Sequence, residues 1–332
     1  DAESLTCQAR SYRHLVDNPM LVAPADTAHI QLPDIDVLVA CHSTTGKAIA
    51  HDVAAQIRPL LAVQRAYLGG TLPVKNYTFL IYHNPSDREG SSMGDGLEHA
   101  SSTLILLCMP LDPAAIARSV YGIASHEFFH TILPLSIHSE EIEHYDFHAP
   151  KMSRHLWLYE GMTEYFAIHM PVKQGRQTMD EFLNVVNDKI AMMRKFSDDI
   201  ALTTLSQNAM ERQDQYYNFY LKGTLFCMGL DIALRERSSG AYGVQHLVQD
   251  LSKRYGVGRP FKDEELFAAI TELTGPDIGE LLQRGLNESG PLPLAQWATK
   301  VGLEFDATGQ RLRVMDKPDR SQLRLRKWWI GR

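Results

Sequence analysis

Long apolar runs, an excess of positive charge and paired cysteines are all missing from this sequence. Its longest apolar stretches, Thr103–Met109 and Leu225–Leu230, are far too short to span a membrane. With 33 Lys and Arg against 40 Asp and Glu, the net charge of −7 argues against a general nucleic-acid-binding protein. The 4 cysteines show no CxxC spacing, which argues against a disulfide framework and a Cys-based metal site.

What is present is ordinary for a folded chain. Of 332 residues, 44% are hydrophobic and 22% charged, a balance that argues against disorder. The apolar pattern predicts an α+β fold, with a small N-terminal sheet followed by a mostly helical lobe. We expect strands at 28–40, 76–83 and 102–108, a helix at 45–68 and a loop at 84–96. Further helices are expected near 114–133, 154–171, 178–197, 215–237, 241–255, 263–273, 276–286 and 293–301.

A metal-binding motif lies in the first helix of the helical lobe. The sequence His126-Glu127-Phe128-Phe129-His130 places two imidazoles four residues apart, on one helix face, where both can reach one ion. Glu127 lies beside them and could handle the proton of a water molecule. The alternative is two histidines that serve only as core residues, which the apolar helical context disfavours.

A zinc site of this kind needs a third protein ligand. Leu133 and Ser136 stand where the metzincin pattern requires Gly and His, so that pattern is excluded. The other solution is a glutamate on a later helix, and Glu160 in the sequence LWLYEG fits it. Glu164, one turn further, could orient a ligand imidazole from behind.

Other histidines could compete with Glu160 as the third ligand. The segment 131–155 carries four of them, none in a defined helical register with the HExxH pair: His138, His144, His148 and His155. We interpret them as solvated loop residues.

These motifs together resemble a known family. HEFFH followed by LWLYEG is similar to the glycyl aminopeptidases, thermolysin-like zinc metallopeptidases of the gluzincin type that often carry a PDZ domain. Gly94–His99 resembles the family's GGLEH segment, and Tyr220–Gly223 resembles its YxKG motif. Tyr255–Phe261 and Gly290–Leu294 match its closing helices. The order of the motifs makes the resemblance specific to the catalytic region.

The resemblance implies a site and a chemistry. One Zn²⁺ per chain would be held by His126, His130 and Glu160, and Glu127 would act as general base and acid. Tyr220 would donate a hydrogen bond to the developing oxyanion. The implied fold is the thermolysin-like zinc peptidase catalytic domain.

The segment before the third predicted strand would bind the substrate's amino terminus. Glu98 occupies the position of a carboxylate that holds the free α-ammonium, and backbone groups of Gly94–Leu97 would pair with the peptide. This chain departs from the family pattern, because Asp95 and Gly96 replace two glycines. The extra carboxylate of Asp95 could add to cation recognition.

The function implied is a zinc-dependent aminopeptidase that removes small first residues, Gly or Ala, from peptides. An endopeptidase or a broader aminopeptidase is the nearest alternative, and an inactive peptide-binding relative is a more distant one. The expected partners are peptide substrates, with no nucleic acid and no membrane span. We expect a bacterial periplasmic or secreted location, with the cytoplasm as the alternative.

For the organisation of the chain we predict four segments. Residues 1–24 form a lead-in, 25–110 a β-rich sublobe, 111–303 the helical catalytic sublobe, and 304–332 a hairpin with a basic tail. The end of that tail, Lys327–Arg332, is similar to the first strand of a PDZ domain cut short. The alternative is a basic tail that docks on the acidic body.

Overall fold

The computed structural model describes residues 4, 6–86, 94–110, 112–306, 308 and 310–331. It divides into two compact units. The first comprises Asp1–Arg65 and Gly70–Thr131, and the second comprises Ala66–Gly69 and Ile132–Arg332.

The first unit is built on a sheet of five strands with the spatial order β1-β2-β3-β5-β4. β3 pairs in parallel with β2 on one side and with β5 on the other. β1 and β4 are edge strands that pair antiparallel with β2 and β5. The strands are β1 (Asp26–Leu32), β2 (Ile35–Ser43), β3 (Asn76–His83), β4 (Gly94–His99) and β5 (Ser102–Leu107). The parallel centre is rich in buried apolar residues, as sheets covered on both faces are.

Two sequence-based expectations for this sheet need correction. The single strand expected at 28–40 is a hairpin of β1 and β2, since Pro33 and Asp34 form a tight turn between them. Asp34 is held there by Arg65, whose Nε lies 3.0 Å from its carboxylate. The loop expected at 84–96 is wrong at its end, where residues 94–96 belong to β4; residues 87–93 of that loop lie outside the described residues.

Three helices accompany the sheet in the first unit: α1 (Tyr12–Val16), α2 (Ala50–Tyr67, whose last two residues belong to the second unit) and α3 (Pro113–Phe129). Helix α3 begins with Pro113 in its first turn, and the Asp112 side chain accepts a hydrogen bond from the Ala115 amide at 2.7 Å. Gln64 on α2 donates to the Ser125 carbonyl of α3 at 3.1 Å, which fixes α3 one residue before the HExxH motif.

The second unit is mainly helical, as predicted for this part of the chain. Its helices are α4 (Glu140–Glu143), α5 (Thr163–Lys173), α6 (Met179–Met193), α7 (Leu202–Gln207), α8 (Thr224–Arg237), α9 (Val244–Arg254), α10 (Leu266–Thr274), α11 (Pro276–Leu282), α12 (Leu294–Lys300) and α13 (Arg320–Ile330). π-helical turns at Trp157–Met162 and Phe219–Gly223 lead directly into α5 and α8. None of the helices in the described part of the chain combines the length and apolar character that crossing a bilayer requires.

The last thirty residues contain the predicted hairpin but not the predicted strand. β6 (Leu303–Asp306) and β7 (Arg311–Val314) pair antiparallel. The end of the chain, interpreted above as the first strand of a PDZ domain, is instead helix α13, and that prediction is wrong. Asp319 caps the helix: its side chain accepts from the Ser321 and Gln322 amides, and the Gln322 side chain bonds back to the Asp319 amide.

Helix α13 is held by a buried polar cluster at its carboxyl end. Arg235 donates to the Trp328 carbonyl at 3.0 Å, and His169 Nε2 donates to the Trp329 carbonyl at 2.9 Å. Burial lowers the pKa of His169 to about 4, so the ring is neutral near pH 7 and its Nδ1 accepts from Tyr67 at 2.8 Å. Cationic and neutral donors thus satisfy the last carbonyls of the helix.

The cluster is balanced by Asp231, which is fully buried. Burial alone would raise the pKa of this carboxyl group, but the Arg235 guanidinium and the Val244 amide lower it below its ordinary value. Tyr165 donates to the Asp231 carboxylate at 2.9 Å and accepts from the Trp329 indole at 2.8 Å. The indole therefore contributes both a hydrogen bond and a buried ring.

Replacing Trp329 should destabilise the fold strongly. Trp329→Ala removes a fully buried ring and the hydrogen bond to Tyr165, so we expect the free energy of unfolding to fall by about 3–5 kcal/mol. Leu323→Ala is the matched control on the same helix, because Leu323 is 45% exposed, and should cost less than about 0.5 kcal/mol. Urea denaturation of both variants checks this. Equal losses in the two variants would show that α13 is not anchored through Trp329.

Candidate functional site

The two histidines of the HExxH motif lie together at the carboxyl end of α3. His126 and His130 are buried, and their Nε2 atoms are 3.0 Å apart with the rings nearly perpendicular, at 77°. Two imidazole nitrogens bound to one tetrahedral zinc ion at ~2.0–2.1 Å would lie roughly 3.3 Å apart. The geometry and the chemistry of these donors therefore fit a shared divalent cation.

Two carboxylates lie beside this pair in the same unit. The carboxylate oxygens of Glu98 and Glu127 and a ring nitrogen of His130 lie within 4.8 Å of one another. Glu127 comes from α3 and Glu98 from the edge strand β4, so the site is formed where the helix packs against the strand. Burial, and to a lesser degree the negative charges of Glu127 and Glu98, raise the pKa of the nearby Tyr77.

Glycines allow β4 to approach α3 this closely. A Cβ atom at Gly96 would lie 2.6 Å from the Glu127 carboxylate and from Ile123, and one at Gly94 would lie 2.8 Å from Leu107. Side chains alternate along a strand, so Asp95 faces away from α3 and is exposed. Glycine therefore occupies the two positions of β4, Gly94 and Gly96, at which a side chain would collide with neighbouring residues. The replacement of a family glycine by Asp95 does not disturb this contact.

In the second unit, Glu160 lies in the π-helical turn Trp157–Met162 and is buried. The Tyr216 hydroxyl donates to Glu160 Oε1 at 3.4 Å. The second π-helical turn, Phe219–Gly223, lies against the first through glycine. A Cβ atom at Gly161 would be 2.6 Å from the Gly223 carbonyl carbon. The LWLYEG and YxKG motifs are thus in backbone contact, and π-helical turns are common at functional sites.

Lys189 on α6 connects two predicted site residues. Its buried ammonium group lies 2.5 Å from Glu164 Oε1 and donates to the Tyr220 carbonyl at 3.2 Å. Glu164 is therefore ion-paired with Lys189, and its expected role behind a ligand imidazole stays a prediction. The Tyr220 ring stacks on Tyr217, with centroids 5.5 Å apart.

The lysine of the YxKG motif has a structural role. Lys222 is buried, and its ammonium group donates to Asp198 at 2.6 Å and to the Gly290 carbonyl at 2.8 Å. Gly290 begins the Gly290–Leu294 motif, so this lysine links two of the motifs that the sequence shows far apart.

The interpretation of the competing histidines as solvated loop residues is wrong for His138 and His155, which are buried. His138 Nε2 lies 2.5 Å from Glu143 and its Nδ1 lies 2.6 Å from the Pro134 carbonyl. His155 is buried, which lowers its pKa, and it bonds to the Asp263 carbonyl at 2.8 Å. His144 and His148 are exposed. Among the described residues, none of these four belongs to a group of three potential metal ligands.

Sequence reasoning missed two residues of this region. Lys189 lies on the buried face of α6, where the apolar residues Phe182, Val186 and Ile190 recur at helical spacing. A charged residue on such a face indicates a buried ion pair and could have been noticed in the sequence. Tyr216 lies in a segment rich in tyrosine, and nothing in the sequence distinguishes it from Tyr217.

Comparisons with known proteins find one family model and several solved structures that are similar to this chain. Residues 119–226 match the family model of the M61 glycyl aminopeptidases. The aminopeptidase N family protein from Idiomarina loihiensis is similar in structure, with 20% identity and a TM-score of 0.75 over 89% of this chain and 52% of that one. An M1 zinc metallopeptidase from Deinococcus radiodurans, in a variant bound to a Tyr-Ser-Ala substrate, gives 15% identity and a TM-score of 0.53 over 81% of this chain and 53% of that one.

The chain thus spans about half the length of these solved structures. A comparison with curated proteins finds no significant match. The structural likeness shows the mixed α/β fold of these metallopeptidases, and the family match confirms the predicted resemblance over the region of the catalytic motifs.

The contact between the two π-helical turns predicts an unequal response to alanine. Gly161→Ala would place its Cβ against the Gly223 backbone at 2.6 Å, so we expect a loss of about 1–3 kcal/mol in the free energy of unfolding and weaker zinc retention. Gly122→Ala on α3 meets no atom within 4 Å and should stabilise by about 0.4–1 kcal/mol. Thermal denaturation and metal analysis check both. An unchanged Gly161→Ala protein would contradict the tight contact.

Proposed function

We propose that this protein is a zinc-dependent aminopeptidase with a thermolysin-like catalytic domain. The observation that carries the proposal is the pair of imidazole nitrogens 3.0 Å apart beside the carboxylates of Glu127 and Glu98. Helix α3 and strand β4 therefore bring together donors for a cation, a carboxylate that can move a proton and a second carboxylate that would lie beside a bound peptide.

Glu160 is the third ligand in this proposal. Its place in the LWLYEG motif supports this role, and two imidazoles with one carboxylate are a common donor set for catalytic zinc. Bound zinc would polarise the scissile carbonyl group and lower the pKa of a water molecule. The Tyr216 hydroxyl, which donates to Glu160, would hold this carboxylate in place.

The residues around the cation would divide the remaining work. Glu127 would accept a proton from the attacking water and deliver it to the leaving amine. Tyr220 would donate a hydrogen bond to the oxyanion that develops on the scissile carbonyl. Lys189, through the Tyr220 carbonyl and Glu164, would fix the backbone from which that tyrosine extends.

Glu98 supports an exopeptidase. Its carboxylate lies at the end of an edge strand and within 4.8 Å of Glu127 and His130, where it could hold the α-ammonium group of a peptide. That contact would place the first peptide bond next to the HExxH motif. We further propose Gly or Ala as the preferred first residue, which rests on the family resemblance. An endopeptidase on the same scaffold is the second candidate, because the edge of β4 could also pair with the middle of a peptide.

Removal of the metal by a chelator should abolish hydrolysis of alanine p-nitroanilide, and added zinc should restore it.

The Glu127→Gln variant should separate metal binding from catalysis. Because Gln keeps the shape of the side chain but cannot take a proton, this variant should retain zinc and lose roughly a hundredfold to ten-thousandfold or more in kcat on alanine p-nitroanilide. His126→Gln is the matched control that should lose zinc as well as activity. Elemental analysis and initial rates give both quantities. Near-normal turnover in Glu127→Gln would refute its role as base.

Glu98 should determine whether a free amino terminus is required. Glu98→Gln and Glu98→Ala should lower kcat/KM for Ala-Ala-Ala-Ala. The loss should correspond to about 2–5 kcal/mol of transition-state binding free energy, the range for breaking a buried charge pair. The N-acetylated peptide should be a poor substrate for all variants, so discrimination between the two peptides should narrow. Asp52→Asn, an exposed carboxylate on α2, is the control. If the unaltered protein cuts both peptides at internal bonds equally well, it is an endopeptidase.

A further inference from the structure

The free edge of β4 presents a definite set of backbone groups. Among the described residues β4 is an edge strand of the sheet and pairs with β5 alone, through a turn of two residues, Ala100 and Ser101, between His99 and Ser102. In a two-residue hairpin the pair that closes the turn is hydrogen-bonded, and bonded and non-bonded pairs then alternate. The amides of Glu98 and Gly96 therefore point away from β5, toward the free edge.

One of these edge amides already has an acceptor. The Gly96 amide donates to the Asp95 carboxylate at 3.0 Å. Asp95 is exposed, and its neighbour on the same face, Leu97, is 54% exposed, so this carboxylate is within reach of a ligand. A peptide that pairs with the edge would need the Gly96 amide for one of its own carbonyl groups.

The direction of a bound peptide follows from the position of Glu98. A peptide whose α-ammonium group lies at Glu98 and runs antiparallel to β4 continues along the strand toward Gly96 and Gly94. A parallel peptide would run past His99 into the turn and lose its pairing. The antiparallel direction therefore places the residues that follow the first one opposite Gly96.

We propose that Asp95 is a specificity-determining residue that competes with the peptide for the Gly96 amide. The carboxylate must leave this amide before a substrate carbonyl group can accept from it, so Asp95 weakens the binding of every peptide long enough to reach Gly96. A substrate with no amino-acid residue after its scissile bond, such as the anilide of a single amino acid, is affected less. The proposal rests on the proposed function for the identity of the bound molecule, a peptide held by its amino terminus.

The test compares a long and a short substrate in two variants. Asp95→Ala should lower KM for Ala-Ala-Ala-Ala by about three- to tenfold, the equilibrium value of one released hydrogen bond, with a smaller change for alanine p-nitroanilide. Asp95→Asn keeps a neutral acceptor, which is weaker than a carboxylate. Its KM for Ala-Ala-Ala-Ala should lie between that of the unaltered protein and that of Asp95→Ala. Calorimetry with Ala-Ala-Ala-Ala on Glu127→Gln, with and without Asp95→Ala, should give the same ratio in Kd without turnover.

Leu106→Ala is the matched control. Leu106 is the cross-strand partner of Asp95 and lies on β5, away from the free edge. Its replacement should leave the KM for both substrates unchanged. An Asp95→Ala protein that binds Ala-Ala-Ala-Ala no tighter, or that changes both substrates alike, would overturn the proposal, as would an equal change in Leu106→Ala. If calorimetry shows the tighter binding but the unaltered protein hydrolyses neither substrate, the competition at Gly96 is supported and the proposed function fails.

Discussion

The contact between Gly161 and Gly223 is the constraint on which the positions of Glu160 and Tyr220 in the second unit depend. A side chain at Gly161 would force apart the two π-helical turns that carry Glu160 and Tyr220, and one at Gly223 would press on the Gly161 Cα at 3.2 Å. Backbone packed on backbone leaves little room for adjustment, since neither turn has a flexible side chain at the contact. Lys189 and Lys222 then fix the same region from outside with buried ammonium groups, each bonded to a carboxylate and to a backbone carbonyl.

In the first unit, strand β4 and helix α3 approach each other in a similarly close contact. The alternation of β4 directs Gly94, Gly96 and Glu98 toward α3, and only the last of them carries a side chain. The helix can therefore approach the strand until Glu127 and Glu98 lie within a few ångströms of each other. Two neighbouring carboxylates repel in the absence of a cation, so this arrangement is suited to receiving positive charge from a ligand.

Much of this could be predicted from the sequence, because the informative signals are local. HExxH on an apolar helix, the strand Asn76–His83 and the helices of the second unit follow from periodicity and motif spacing alone. Predictions failed where local signals were ambiguous. The aromatic run of Trp328, Trp329 and Ile330 has the composition of a strand, yet the Asp319 and Gln322 capping box makes it a helix.

Contacts between distant residues were not predictable in the same way. The approach of Gly161 to Gly223 and the bond from Lys222 to Gly290 join segments far apart in the chain, and no periodicity encodes them. A buried lysine such as Lys189 can be noticed in sequence as an exception to the apolar stripe, but its partners follow only from the packing of α6.

The polar cluster that receives α13 has a consequence for synthesis of the chain. Its hydrogen bonds join His169 to Tyr67, 102 residues earlier, and to Trp329, 160 residues later. At ~5–20 residues per second, a ribosome needs roughly 10–30 s to extend the chain from His169 to Trp329. Until Trp329 is made, His169 and Arg235 lack the α13 carbonyl groups to which they donate and Tyr165 lacks the indole, so this buried cluster cannot close while the segment between them is synthesised.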